Sequence, residues 1–118
     1  MSVLAYITDL SLKAQVSQIA KAADVEVNVV SSLYHLLPGL EESPSMVMID
    51  LEAKGISAIA LIVQVREKNP NIPIVACGSS DQKEVFKQVR TAGVKSVLTR
   101  EKLSEELGAI FAQYRGNK

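Results

Sequence analysis

Two aspartates, Asp9 and Asp50, each close a short apolar run, "VLAYI" and "MVMI". Runs of that length read as strands, and a strand that ends on a carboxylate delivers it to one edge of a sheet. If the two strands lie side by side, the pair suits a hard cation such as Mg²⁺, which takes oxygen ligands and keeps several waters. A neutralised Asp50 is then a nucleophile toward a phosphoryl group, forming an aspartyl phosphate. Ser79, following "IPIVACG", could hydrogen-bond that phosphoryl, and Arg100, following "VKSVLT", could pair with its charge. Each residue also has an ordinary reading: aspartate at a strand end caps turns, and serine and arginine populate surfaces. Spacing alone favours the ordinary reading.

The elements that must position these residues follow a regular rhythm. "VLAYI" (3–7) reads as a strand, followed by "LKAQVSQIAKAA", where Leu12, Val16, Ile19, Ala20 and Ala23 fall at helical spacing. "VEVNVV" (25–30) is a second strand, and the segment after it carries Leu33, Leu36, Leu37 and Leu40 on one helical face. Pro38 and Gly39 interrupt that helix, so two short pieces or a kink near Leu37 are expected. "MVMID" (46–50) is the third strand, and "SAIALIVQVREKN" the third helix, closed by Pro70. "IPIVAC" (72–77) is the fourth strand. Asp81 and Glu84 make a capping-box pattern for the fourth helix, and Gly93 lies where a left-handed cap would end it. "VKSVL" (94–98) is the fifth strand, and Leu103, Leu107, Ile110, Phe111 and Tyr114 stripe the last helix.

Five strands, each followed by a helix, imply an α/β, flavodoxin-like (βα)5 doubly wound parallel sheet, strand order 2-1-3-4-5. Its strands are covered on both faces, which accounts for their almost unbroken apolar character. In that order the first and third strands are neighbours, so Asp9 and Asp50 meet beyond the carboxyl ends of the strands. The chain of 118 residues, 47% hydrophobic and 22% charged, is sized for a single domain, 1–118.

Thirteen basic residues balance thirteen acidic ones, leaving no basic footprint for nucleic acid. No apolar run approaches the roughly 20 residues of a membrane helix, and the start lacks a leader pattern, so a soluble, cytoplasmic protein with no membrane partner is expected. Cys77 sits inside an apolar run and reads as a small buried hydrophobe, and His35, the one histidine, as a surface residue. In the third helix, Ile59, Leu61, Ile62, Val63 and Val65 cover more than one sheet face can bury, which leaves either a stray exposed valine or an apolar contact surface, including one for a homodimer. Lys83, Lys87 and Arg90 form a solvated face on the fourth helix. A flavin-binding relative is excluded because "TDLSLKAQ" offers no glycine-rich or hydroxyl-rich phosphate cradle.

Nearly the whole chain resembles the receiver domains of bacterial response regulators, of which the single-domain chemotaxis regulator is the simplest example. The residues carrying the resemblance are Asp50 closing "MVMID", the Gly55 loop, "ISAIALIVQVREKNPNIPIV" and "TAGVKSVLTREKL". The resemblance makes Asp50 the phosphoacceptor, with Mg²⁺ as cofactor and a histidine kinase or other signalling protein as partner. The departures fall on the family's functional positions. Where the family ends its first strand with two acids, this chain has Thr8 and Asp9. Its hydroxyl at the end of the fourth strand becomes Gly78, with Ser79 one position on. Its lysine-proline pair becomes Arg100 and Glu101, and its aromatic switch in the fifth strand becomes Val97. Glu52, in the loop from which the family supplies a backbone oxygen, is a candidate third metal ligand or a solvated loop acid.

Two functions are therefore expected to compete. One is a stand-alone receiver in a phosphorelay, whose only enzymatic step is its own phosphorylation at Asp50. The other is a pseudo-receiver, a phosphorylation-independent interaction module. With no effector segment after residue 118, output is expected to pass through protein contacts or self-association.

Overall fold

The apolar strand runs assemble into one parallel sheet because each can be buried on both faces. The computed structural model describes residues 2–116; Met1, Asn117 and Lys118, the ends of the expected 1–118 domain, lie outside them. Elements alternate as β1 (Ser2–Tyr6), α1 (Leu10–Ala22), β2 (Glu26–Val30), α2 (Leu33–Glu41), β3 (Met46–Asp50), α3 (Ala58–Lys68), β4 (Ile74–Gly78), α4 (Lys83–Thr91), β5 (Ser96–Thr99) and α5 (Leu103–Gly116). A 3-10 turn, Arg100–Lys102, joins β5 to α5. The strand order is β2-β1-β3-β4-β5, all parallel, as expected.

Alternation along the strands divides the core into two layers. Val3, Ala5, Met46, Met48, Val75 and Cys77 pack with Leu12 and Val16 of α1 and Leu103, Leu107 and Phe111 of α5. Leu4, Tyr6, Val47, Ile49, Ile74 and Ala76 pack with the apolar sides of α2, α3 and α4. β3 and β4 are buried at every residue, whereas the edge strand β2 exposes Glu26 and Asn28. A charge on an edge strand discourages pairing with another chain. Among the described residues no helix is long and apolar enough to cross a membrane.

The helix ends show which local signals prevailed. Gly93 takes φ +97°, its N–H bonds to the Arg90 carbonyl and that of Val94 to the Val89 carbonyl, a Schellman cap at the expected place. Val94 is used up in this cap, so β5 starts later than expected, at Ser96. The capping box expected from Asp81 does not form: α4 begins at Lys83 behind Gln82, and no side chain caps it. The segment before it is instead a turn in which the Gln82 N–H donates to the Ser79 carbonyl and Gln82 Oε1 accepts from the Ser79 N–H.

The break expected in α2 is also absent, and one helix runs through Pro38. The hydrogen bond lost is the one the Tyr34 carbonyl would accept, and Tyr34 is 83% exposed, where water can substitute. Buried Leu36 and Leu40 hold the helix on the sheet. Gly39 permits that close approach: a Cβ there would stand 2.8 Å from Leu4 Cδ1.

Leu61, Ile62 and Val65 of α3 are buried and Ile59 partly so, leaving Val63 48% exposed. Cys77 is fully buried, and burial pushes its thiol up to about 12, so it is inert at neutral pH. His35 is exposed, with Nδ1 3.0 Å from Ser32 Oγ.

Candidate functional site

The strand order reverses between β1 and β3, since the chain leaves β1 toward β2 and returns to the other side of the sheet. That reversal opens a crevice at the carboxyl ends of the two strands. Asp9 comes from the turn after β1 and caps α1, its Oδ1 accepting from the Ser11 N–H at 2.9 Å. Asp50 is the last residue of β3, and its Oδ1 accepts from the Glu52 N–H at 2.9 Å. The loop beyond it is pinned from β1, because Thr8 Oγ1 accepts from the Lys54 N–H at 3.1 Å.

Arg100, delivered by β5, reaches across to all three acids. Its Nη1 donates to Asp9 Oδ2 at 2.8 Å, and its Nη2 donates to Asp50 Oδ1 at 3.3 Å. Its Nε lies 3.3 Å from Glu52 Oε1, near enough for charge attraction, although the N–H is not aimed at that oxygen. The planar fork of arginine can address several oxygens at once, which the single ammonium of lysine does not do in the same geometry. Burial opposes the guanidinium charge, but the Asp9 hydrogen bond and the charges of Asp50 and Glu52 outweigh it and raise the Arg100 pKa. The Arg100 hydrogen bond, assisted by the Ser11 N–H, holds the Asp9 carboxyl below the usual carboxylate range.

The Asp50 side chain is fully buried, while those of Asp9 and Glu52 are each 38% exposed and that of Arg100 is 28% exposed. The contacts to Asp9 and Glu52 are therefore screened by water and worth little singly. The contact to Asp50 is the consequential one, because it compensates a carboxylate that water does not reach. Asp50 Oδ2 is buried and has no hydrogen-bond partner.

Beside this cluster, space is filled where the resemblance would place a hydroxyl. A Cβ on Gly78 would lie 2.7 Å from Gln82 Oε1, 3.0 Å from Phe86 Cε1 and 3.2 Å from Leu51 Cδ1. Val97 is half-buried and packs on the same apolar layer as Phe86 and Leu51. The Ser79 N–H donates to Gln82 Oε1 at 3.2 Å. Next to it Ser80 Oγ donates to Glu101 Oε1 at 3.3 Å, tying the β4–α4 loop to the 3-10 turn.

The structure thus brings Asp9, Asp50, Glu52 and Arg100 together through the contacts of one guanidinium. Gln82, Phe86 and Leu51 escaped sequence reasoning, since no local pattern links them to Gly78. The signal for Arg100 was present in part: an arginine with five donors facing three acids can satisfy several of them.

The donor set does not fit Mg²⁺ as it stands. Each acid turns an oxygen to the guanidinium, and among the described residues no group of three or more His, Cys, Asp or Glu side chains is arranged to hold a metal ion. The 120 Å³ hollow on the other side of Asp9, between the ends of β1 and β2 and lined by Ile7, Lys13, Val29 and Ser31, includes neither Asp50 nor Arg100.

No family model matches the chain, and no curated protein matches it significantly. Solved structures do. The signal receiver domain of a DNA-binding response regulator from Colwellia psychrerythraea superposes with a TM-score of 0.85 at 14% identity, covering 98% of each chain. The receiver domain of a Pseudomonas aeruginosa sensor histidine kinase, with magnesium in its active-site cleft, gives 0.82 at 14% identity over 98% of this chain and 97% of that one. The chemotaxis response regulator CheY4 of Vibrio cholerae gives 0.80 at 17% identity over 95% and 96%. At these identities the likeness concerns architecture, and the chain has the receiver-domain fold.

Proposed function

We propose that this chain is a signalling module of the two-component type that works as a pseudo-receiver, binding protein partners without phosphoryl transfer to Asp50. The observation that carries this reading is the complete burial of the Asp50 side chain beneath Arg100. A carboxylate must be reached by its phosphodonor before it can attack, and here one oxygen is hydrogen-bonded and the other is inaccessible. The packing around Gly78 supports the same reading, because the position that would carry a hydroxyl has none and is crowded by Gln82, Phe86 and Leu51.

Output then passes through surface contacts with a histidine kinase or another signalling protein. Val63 on α3 and Tyr34 on α2 offer exposed apolar anchors for such contacts, or for self-association. Mg²⁺, which the Pseudomonas receiver holds in its cleft, has no role in this reading.

A second reading is favoured by one observation. Asp50 Oδ2 lacks a partner, so it would be the attacking oxygen if Arg100 swung aside, making the chain a stand-alone phosphorelay receiver. Incubation with Mg²⁺ and a small phosphodonor such as phosphoramidate, followed by intact-mass measurement, separates the two. The expected result is an unchanged mass. A phosphoryl adduct that disappears in Asp50→Asn overturns the pseudo-receiver reading.

A further inference from the structure

We infer that a pocket at the end of the sheet opposite the acid cluster is a binding site for a small organic phosphate, held by Arg66 and Lys95. The inference is independent of how Asp50 behaves, because no residue of the acid cluster lines this pocket.

The pocket lies where β4 and β5 begin. Ile74 and Ser96, the first residues of those strands, line it together with Arg66 near the end of α3, the turn 70–73 and Tyr114 of α5. Its volume is about 330 Å³, within the range of roughly 300–1,000 Å³ that small-molecule pockets occupy.

Charge in the lining is one-sided. Arg66 and Lys95 bring two cations, and no aspartate or glutamate lines the pocket. Among the described residues neither cation forms an ion pair. Arg66 Nη1 donates to the carbonyl of Ile72, itself a lining residue, so the guanidinium is fixed at the pocket wall. That bond uses one of its five donors. The remaining fork suits an oxyanion, which arginine can bind through two parallel hydrogen bonds. Lys95, exposed just before β5, adds a mobile point charge.

Two cations with no opposing carboxylate match a phosphate monoester, which carries about −1.5 to −2 charge at neutral pH, better than a monocarboxylate. An ester fits better than the bare ion because the pocket continues beyond the cations. Pro73 and Tyr114 supply carbon surface there, and Asn71 and Ser96 are residue types that hydrogen-bond hydroxyl groups.

The experiment titrates the ¹⁵N-labelled full chain with ribose 5-phosphate and with adenosine 5′-monophosphate at constant ionic strength. Ribose and adenosine serve as uncharged controls and inorganic phosphate as the bare anion. The amides of Asn71, Lys95 and Ser96 report on the pocket, and that of Glu52 on the far end of the sheet. Saturable shifts at the first three are expected with at least one ester, with none at Glu52, none with the uncharged controls and weaker binding of inorganic phosphate. Lys95→Ala changes an exposed side chain and should leave the fold intact while weakening ester binding roughly tenfold, the lower end for losing a hydrogen bond to a charged group. Arg66→Lys keeps the charge without the fork and should also weaken it.

No saturable shift with either ester would overturn the inference, and so would ester binding that both variants leave unchanged. Inorganic phosphate binding as tightly as the esters would contradict it too, since the pocket beyond the cations would then contribute nothing.

Discussion

Arg100→Ala is expected to destabilise the protein by about 3 kcal/mol, the lower end of the cost of stranding a buried charge. The Asp50 side chain is fully buried, and its Oδ1 would keep only the Glu52 N–H while Oδ2 still has no donor. The lower end applies because Arg100 is itself 28% exposed, so water can follow the shortened side chain into the cluster. The contacts to Asp9 and Glu52 add little, since both carboxylates are 38% exposed and screened.

Charge is the claimed cause, which sets the control. Asp50→Asn in the Arg100→Ala background removes the stranded charge and should recover a large part of the loss. A double-mutant cycle should give a coupling on the order of 1–3 kcal/mol. Denaturant unfolding of the four proteins measures it. A loss below about 1 kcal/mol with no coupling would mean that Arg100 behaves like an ordinary surface ion pair.

Restoring a hydroxyl at position 78 should be harmful. Gly78→Thr is expected to cost about 2 kcal/mol, typical of overpacking a filled core. Intrinsic preference points the other way, because threonine suits a strand better than glycine by up to roughly 1 kcal/mol. The sign is therefore decided by the neighbours. Gln82 Oε1, at 2.7 Å from the added Cβ, is the end of a flexible side chain and can move aside. Phe86 and Leu51 cannot, being 8% and 7% exposed and packed in the same apolar layer. Phe86→Leu should recover part of the cost in the Gly78→Thr background, although it creates a defect in the wild-type chain. A neutral or stabilising Gly78→Thr, read by thermal and denaturant unfolding, would show that this pocket is not filled.

The architecture was legible because it depends on local pattern repeated along the chain. β3 and β4 had to be apolar on both faces, and amphipathic segments between strands imply crossovers, so a parallel sheet covered on both sides followed, and its order 2-1-3-4-5 is that of the flavodoxin-like arrangement. Gly93 was legible for the same reason, as a left-handed cap requires a residue without a Cβ penalty. Local signals misled where a neighbour competed. Asp81 has capping chemistry, but the Gln82 side chain folds back to the Ser79 N–H and moves the helix start to Lys83. Pro38 has breaking chemistry, but the lost bond lies at an exposed residue while Leu36 and Leu40 anchor the helix.

In the site, the meeting of Asp9 and Asp50 followed from topology alone. The reach of Arg100 did not, because a long side chain with several rotatable bonds chooses its partners only once three distant segments are in place. The meaning of Gly78 was equally hidden. Phe86 lies on the following helix and Leu51 just past the neighbouring strand, so nothing adjacent in sequence explains why a side chain is excluded.

The central claim is that Asp50 is closed to phosphoryl chemistry by Arg100 in the folded chain. Beryllofluoride with Mg²⁺ tests it most directly, since this acyl-phosphate mimic needs no kinase. The ¹⁵N-labelled protein is titrated while the amides of Glu52, Gly78 and Val97 are followed. The expected result is an unperturbed spectrum across the titration. Saturable shifts at these amides, abolished by Asp50→Asn, would contradict it.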